Sequence, residues 1–292
     1  MPDPSITIAF PMNSSLITPI ALLTDFGQKD TYVAAMKAVI LTRAPSISFI
    51  DLTHSITPGD IRHAAFEIWR VRPYLPTGTI LVGVVDPGVG TERRPIAVNF
   101  PGLCCVGPDN GIFSYLLNTE PGHTAVELNR SEFWGVRVSR TFHGRDIFAP
   151  VAAHLANGIL LEQVGDVLAA PFRLPLPRMV VEAPKSITGE VLHIDRFGNL
   201  ISSIGNLTST ETRLQFSSWL DPKESFGFKK EQVRIQLGDA EALTMADNFG
   251  VVPIGQPLAY IGSAGLLEIA VNGGNAADKY SARRGDPVTL IA

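Results

Sequence analysis

The stretch Thr79-Ile80-Leu81-Val82-Gly83-Val84-Val85 limits what this chain can fold into more than any other. An unbroken, β-branched apolar run fits a central strand covered on both faces, not the alternation of a half-solvated one. It therefore predicts a sheet with helices on both sides. The run leads directly into Asp86-Pro87-Gly88-Val89-Gly90-Thr91-Glu92-Arg93-Arg94. In open α/β sheets ligands bind outside the carboxyl ends of strands, so Asp86, the two glycines and Arg93 form a candidate site. Taken alone, the stretch reads equally well as a tight turn with a capping aspartate and surface arginines.

The preceding chain repeats the same grammar. Ile20 to Thr24 is a short apolar strand ending at Asp25, and Asp30 or Thr31 can cap a helix from Tyr32 to about Leu41. The strand Ile47 to Ile50 ends at Asp51, after which Thr57 caps a helix with Pro58 at its first position and Asp60 in its first turn. Its inward residues are Ile61, Ala64, Ala65, Ile68 and Trp69. Three strand ends thus carry Asp25, Asp51 and Asp86. Residues 1 to about 17 read as a loosely held leader.

Beyond the central strand, Pro95 to Phe100 and Leu103 to Val106 are strands joined by a Pro101-Gly102 turn. The turn Gly107-Pro108-Asp109-Asn110-Gly111 then precedes a short helix. In Thr141-Phe142-His143-Gly144-Arg145-Asp146, Asp146 is expected to cap a helix from Ile147 to Ala156, which ends at Asn157-Gly158. His143 stands just before that helix, where a buried structural histidine is the simplest reading. A proline-rich stretch, Pro171 to Arg178, reads as a semi-rigid linker. After it come a hairpin turning at Arg196-Phe197-Gly198-Asn199 and short strands near 232–237, 257–262, 266–271 and 287–291, with no long amphipathic helix. The expected architecture is an α/β domain with a parallel-type sheet over 18–178, followed by a smaller β-barrel-like domain over 186–292.

Composition narrows the function. The 292 residues carry 24 basic and 28 acidic side chains, a net charge of -4, which favours neither nucleic acid nor an anionic membrane as partner. A small molecule is the expected ligand. No stretch reaches the roughly 18 uninterrupted apolar residues of a membrane span, and the N-terminus lacks the positive region of a secretory signal. The two cysteines, Cys104 and Cys105, are adjacent and read as reduced core residues, so cytoplasm is the expected location. The six histidines show no helical ligand pairing and the cysteines lack zinc spacing, so no metal site is expected.

Taken together, Thr24-Asp25-Phe26-Gly27, Thr57-Pro58-Gly59-Asp60, Asp86-Pro87-Gly88-Val89-Gly90-Thr91 with Arg93, Gly107-Pro108-Asp109-Asn110-Gly111, Phe142-His143-Gly144-Arg145-Asp146 and Asp195-Arg196-Phe197-Gly198-Asn199 resemble the S-adenosyl-L-methionine hydroxide adenosyltransferases. These are relatives of the fluorinating and chlorinating enzymes that act on the same substrate. The resemblance spans nearly the whole chain in order. It implies hydrolysis of S-adenosylmethionine to adenosine and methionine by water or hydroxide attacking the ribose C5′, with no cofactor.

By the same resemblance, Asp86, Arg93 and His143 hold the nucleophilic water, with Arg93 stabilising hydroxide and the other two orienting it and moving the proton. Asp25 matches the carboxylate that grips the ribose hydroxyls, and Asp195 the acid near the substrate ammonium. Ser263 falls where the methionine carboxylate binds. Phe197, Asn199 and Asn272 match adenine contacts, while Met245 replaces an aromatic residue at the purine face. The resemblance further implies a homotrimer with each site between subunits.

Two departures from the fluorinating relative favour water over halide: the turn after Phe100 is short, and Gly144 replaces a serine that contacts halide. Three rivals are carried forward. A metal-dependent phosphohydrolase would use Asp25, Asp51 and Asp86. A non-catalytic protein would bind S-adenosylmethionine or adenosine without turnover, and a halogenase of the same family would replace water with halide.

Overall fold

The protein was analysed as a computed structural model that describes residues 18–183, 185–220, 224–238, 240 and 242–292. The leader expected over 1–17 lies outside them. The chain divides into two compact units, 1–174 and 175–292.

Unit 1 opens with β1 (Pro19–Thr24), α1 (Tyr32–Arg43), β2 (Ser48–Thr53), α2 (Ile61–Val71) and β3 (Thr79–Val84). It continues through β4 (Pro95–Phe100), β5 (Leu103–Pro108), α3 (Ser114–Thr119), β6 (Thr124–Glu127), α4 (Ala149–Ala156) and β7 (Asp166–Val167). The strands form one sheet in the order β2-β1-β3-β5-β4-β6-β7. The first four are mutually parallel, and the β4/β5 hairpin turns the remainder antiparallel.

As the apolar run predicts, every residue of β3 is buried. Alternate side chains of β1 serve opposite faces, which is the two-residue period of a strand. Ile20 and Leu22 pack with Met36, Ile40, Phe148 and Val151 on one side. Ala21 and Leu23 pack with Ala64, Ile68, Phe113 and Leu116 on the other. Each such aliphatic side chain contributes about 1.5–3 kcal/mol by leaving water, so the sheet is held in place from both faces.

Local structure departs from expectation at three points. Gly59 takes φ +77°, which ends any helix begun at Thr57, so residues 57–60 form a turn and Asp60 caps α2 by accepting from the His63 N–H at 3.0 Å. Asp51 lies inside edge strand β2 and not at its end. Asp146 does not cap a helix: a π-helical turn, Gly144–Phe148, precedes α4, and Asp146 is buried within it.

Unit 2 contains β8 (Met179–Glu182), β9 (Ser186–Ile194), β10 (Leu200–Ser202), β11 (Leu207–Ser209), β12 (Arg213–Ser217) and β13 (Ser225–Lys229). It ends with β14 (Arg234–Leu237), β15 (Leu243–Thr244), β16 (Pro257–Ile261), β17 (Leu267–Val271), the short α5 (Ala276–Tyr280) and β18 (Pro287–Ile291). An antiparallel sheet runs β15-β14-β18-β9-β10-β17-β16, with β8 beside β9. A bridge between Met245 and Ala259 links its two ends, leaving it nearly closed. Strands β11 to β13 form a separate three-stranded sheet that the sequence reading missed. Among the described residues, no helix is long and apolar enough to cross a membrane. Cys104 and Cys105 are free thiols, and burial pushes Cys104 up to about 12.

Candidate active site

Strands β1 and β3 are hydrogen-bonded neighbours with Thr24 opposite Val84, so their carboxyl ends deliver Asp25 and Asp86 to the same sheet edge. Asp25 Oδ2 accepts from the Gly59 N–H at 2.8 Å, which ties it to the 57–60 turn. That turn in turn lies against Pro87, since a Cβ on Gly59 would come within 3.9 Å of the proline ring. The Asp25 loop is also fixed from below. Thr24 Oγ1 accepts from the Phe26 N–H and lies 2.9 Å from His54 Nδ1, while the Gly27 N–H donates to the His54 carbonyl.

Asp51 is absorbed by the same scaffold. Its Oδ2 takes the Lys37 ammonium at 2.6 Å and its Oδ1 lies 3.2 Å from His54 Nε2. The three-aspartate arrangement needed for a metal-dependent phosphohydrolase is therefore not built.

Asp86 and Arg93 form a pair whose side chains are 5% and 10% exposed. Arg93 donates from Nε to both carboxylate oxygens at 3.0 Å and from Nη2 to Oδ2 at 2.5 Å. Nη2 also lies 2.7 Å from Nδ1 of His143. A guanidinium can only donate, so Nδ1 is the acceptor and the neutral ring carries its proton on Nε2. Arg93 Nη1 has no partner among the described residues, and the guanidinium sits over the Phe148 ring at 5.4 Å. The loop between Asp86 and Arg93 is braced at both ends. Asn110 Nδ2 donates to the Val85 carbonyl at 2.8 Å, and Gly90 lies so close to the Arg140 carbonyl that a side chain there would collide with it.

Burial lowers the His143 pKa, and the neighbouring Arg93 charge lowers it further, against opposing effects of Asp86, Asp146 and a hydrogen bond to the Ser139 backbone. The ring is thus neutral at neutral pH, as its acceptor role requires. What the cluster offers chemically is a fixed positive charge with one open donor, next to a carboxylate. Such a group favours an anionic oxygen over neutral water. Gly144 leaves little extra room, because a Cβ there would meet Met36 Sδ at 3.2 Å and the Phe142 and Phe26 rings at 3.4 and 3.5 Å.

In unit 2, Asp195, Phe197 and Asn199 share the β9–β10 turn. Asp195 Oδ1 accepts from the Phe197 and Asn199 N–H groups, and its Oδ2 accepts from Asn199 Nδ2 at 2.9 Å. Three of the roughly four lone-pair positions of the carboxylate are thereby occupied within its own turn. The amide of the buried Asn199 is oriented with Oδ1 left over, while Phe197 is 74% exposed. The turn leans on the start of α5 through a hydrogen bond from the Ala277 N–H to the Gly198 carbonyl. The segment before α5 holds Asn272, whose Nδ2 donates to Val252 at 2.7 Å. Ser263 is exposed on the turn between β16 and β17, and Met245 packs partly into the barrel core. Sequence reading missed Gly59, Asn110 and Ser139 as parts of the site; each contributes through its backbone or braces a backbone, which leaves no signature in side-chain type.

Residues 20–165 match the family described as SAM hydroxide adenosyltransferase N-terminal domain, and residues 189–289 match its C-terminal domain. A protein from Thermus thermophilus named (R)-S-adenosyl-L-methionine hydrolase is 39% identical over 281 residues, 94% of this chain and 99% of that one. A fluorinase from an Actinoplanes species is 26% identical over 300 residues, 93% of this chain and 96% of its own. The crystal structure of an uncharacterized conserved protein from Thermotoga maritima superposes with a TM-score of 0.82 at 36% identity, covering 94% of this chain and all of that one. Matched along nearly its whole length in both sequence and fold, the chain belongs to the SAM hydroxide adenosyltransferase family.

Proposed function

We propose that this protein hydrolyses S-adenosyl-L-methionine to adenosine and L-methionine. The observation that carries this reading is the Arg93 guanidinium, clamped by Asp86 and His143 with Nη1 open, beside the strand end that presents Asp25. The (R)-S-adenosyl-L-methionine hydrolases among its relatives support the same substrate. A water held at Nη1 has its deprotonated form stabilised by the fixed charge. It attacks C5′ opposite the sulfonium; the O–C5′ bond forms as the C5′–S bond breaks. The bonding electrons leave with sulfur as a neutral thioether, so no general acid is required.

The water's proton passes to solvent by way of Asp86 and His143, the two groups that flank Arg93. Asp25, with one oxygen held by Gly59, grips the ribose hydroxyls through the other. Asn199 and Asn272, each with its amide nitrogen engaged, present oxygens suited to the exocyclic amine of adenine, and Phe197 and Met245 supply apolar surface for the ring. Asp195 and Ser263 bind the amino-acid end of the substrate.

The reading needs no metal or cofactor, and it places the enzyme in the cytoplasm, which the free cysteines support. It also takes the active form to be a homotrimer with sites completed between subunits. The segregation of the water-holding residues in unit 1 from the adenine and methionine residues in unit 2 supports this, and light scattering on the purified protein tests it.

The deciding experiment incubates pure protein with S-adenosylmethionine in chelator and isotopically labelled water, with and without high chloride. Adenosine carrying one labelled oxygen, plus methionine, is expected in both salts. A 5′-chlorinated nucleoside, a requirement for divalent metal, or binding without turnover overturns the reading.

A further inference from the structure

Asp25 is the middle residue of a turn that leans twice on one histidine. Thr24 Oγ1 accepts from the Phe26 N–H at 3.3 Å, closing the chain around Asp25, and lies 2.9 Å from His54 Nδ1. One residue further on, the Gly27 N–H donates to the His54 carbonyl at 2.8 Å. His54 thus meets the Asp25 turn with its ring at one end and its main chain at the other. Thr24 is fully buried and His54 is 4% exposed, so water does not compete for these contacts.

The histidine is itself held. Its Nε2 lies 3.2 Å from Asp51 Oδ1, and Asp51 Oδ2 takes the Lys37 ammonium at 2.6 Å. Asp51 and His54 are three residues apart, a spacing that faces opposite sides in a regular strand. The pairing of β1 with β2 shifts between Leu22–Asp51 and Leu23–Thr53, so Leu52 is an extra residue, and this irregularity turns both side chains to the same side. Asp51, paired with Lys37, is a carboxylate that only accepts, which makes Nε2 the donor. In the neutral ring Nδ1 is then an acceptor, and the Thr24 hydroxyl donates to it while accepting from Phe26. The hydroxyl therefore has one orientation.

We propose that His54 is a positioning residue for Asp25: held by Asp51, it fixes the Thr24 hydroxyl and the Gly27 N–H, and so sets the direction in which the Asp25 carboxylate leaves β1. The Gly59 N–H holds one oxygen of that carboxylate, so the turn decides where the other points. Thr24 and His54 are too buried to touch substrate, and their effect passes through Asp25.

The proposal rests on the assignment of Asp25 to the ribose hydroxyls. Calorimetry with adenosine and with 2′,3′-dideoxyadenosine measures that grip as a ratio of dissociation constants. Wild type should bind adenosine at least about 10-fold more tightly, the effect of one hydrogen bond to a charged acceptor. Thr24→Val, which keeps the shape but removes the hydroxyl, should cut the ratio to about threefold or less, and Thr24→Ser should restore it. Loosening of the fold alone weakens both nucleosides together and leaves the ratio unchanged. In turnover, Thr24→Val should raise KM about 10-fold with kcat within about threefold of wild type, because the ribose hydroxyls do not react.

The Asp51 side chain is 46% exposed, so Asp51→Ala supplies the same test should Thr24→Val fail to fold; it frees Nε2 and should cut the ratio at least about threefold. An unchanged ratio in Thr24→Val, or in Asp51→Ala where it stands in, overturns the proposal, as does an equal loss in Thr24→Ser. If Asp25→Ala keeps the wild-type ratio, the ribose assignment falls and the proposal falls with it. If Asp25→Ala abolishes the ratio and Thr24→Val does not reduce it, the proposal falls alone. A wild type that shows the expected ratio and its loss in Thr24→Val, but no hydrolysis, refutes the hydrolase reading and leaves the positioning role standing.

Discussion

Replacing Arg93 with alanine tests two consequences of one arrangement. The guanidinium satisfies a carboxylate whose side chain is 5% exposed, so its removal leaves the Asp86 charge buried and unpaired. Breaking a buried pair from one side costs about 3–5 kcal/mol, whereas removing both charges costs much less. For a unit of this size that loss corresponds to a fall in melting temperature of about 6–20 °C. The same substitution removes the donor proposed to stabilise hydroxide, a loss of about 10²–10³-fold in kcat, or about 2.7–4 kcal/mol of transition-state stabilisation.

The assay is adenosine release followed by chromatography, alongside thermal unfolding of wild type, Arg93→Ala, Asp86→Ala and the double variant. All three variants should lose at least about 10²-fold in kcat, and the double variant should melt above Arg93→Ala because it carries no orphaned charge. Additive melting shifts would refute the buried-pair argument. A purified Arg93→Ala enzyme turning over within about threefold of wild type would refute the catalytic one.

Two further tests follow from the geometry. The His143 pKa lies below its ordinary 6.5 in the folded protein, so the unfolded chain binds the proton first as pH falls; this group then lowers stability from pH 6.5 downward and leaves it unchanged above. Turnover should stay flat from neutral pH to about 6.5 and decline only below it, and an acid limb centred above 6.5 would contradict the Nδ1 acceptor role. Gly198→Ala should destabilise the C-terminal unit by at least about 1 kcal/mol and raise KM, since φ at Gly198 is +83° and the new Cβ would run into the Asn275 side chain. An unchanged melting curve would show that this turn is not clamped to α5.

How far the sequence revealed the fold depended on whether the deciding interaction was local. The run Thr79 to Val85 announced a buried strand because burial on both faces fixes composition directly, and β3 has that form. The β9–β10 hairpin was legible for the same reason, its turn chemistry being local. Asp146 was misread because an aspartate before an apolar stretch looks the same whether it caps a helix or anchors a distant N–H. A π-helical turn has no periodic signature of its own. Asp51 was misplaced by the end of an apolar run: the strand runs on to Thr53, and the carboxylate is taken up by Lys37 of α1 and by His54 just past the strand end. Strands β11 to β13 are short and pair only with one another, so their pattern never rose above the turns around them.

The register of β1 against β3 has a consequence for how this scaffold can change. Thr24 stands opposite Val84, Asp25 leaves the sheet one residue beyond that rung and Asp86 two beyond, on strands about 4.8 Å apart. The spacing between Asp25, proposed to grip the ribose, and Asp86, proposed to hold the water, is thus a gauge cut from main-chain hydrogen bonds. Substitution in the loops can loosen either grip, but it cannot re-space them. Only a one-residue slip of β3 could, and that would turn every buried side chain of the strand to the opposite face. A descendant of this protein that accepts another nucleophile is therefore held to the same reach from the ribose, and its freedom lies in what fills the gap.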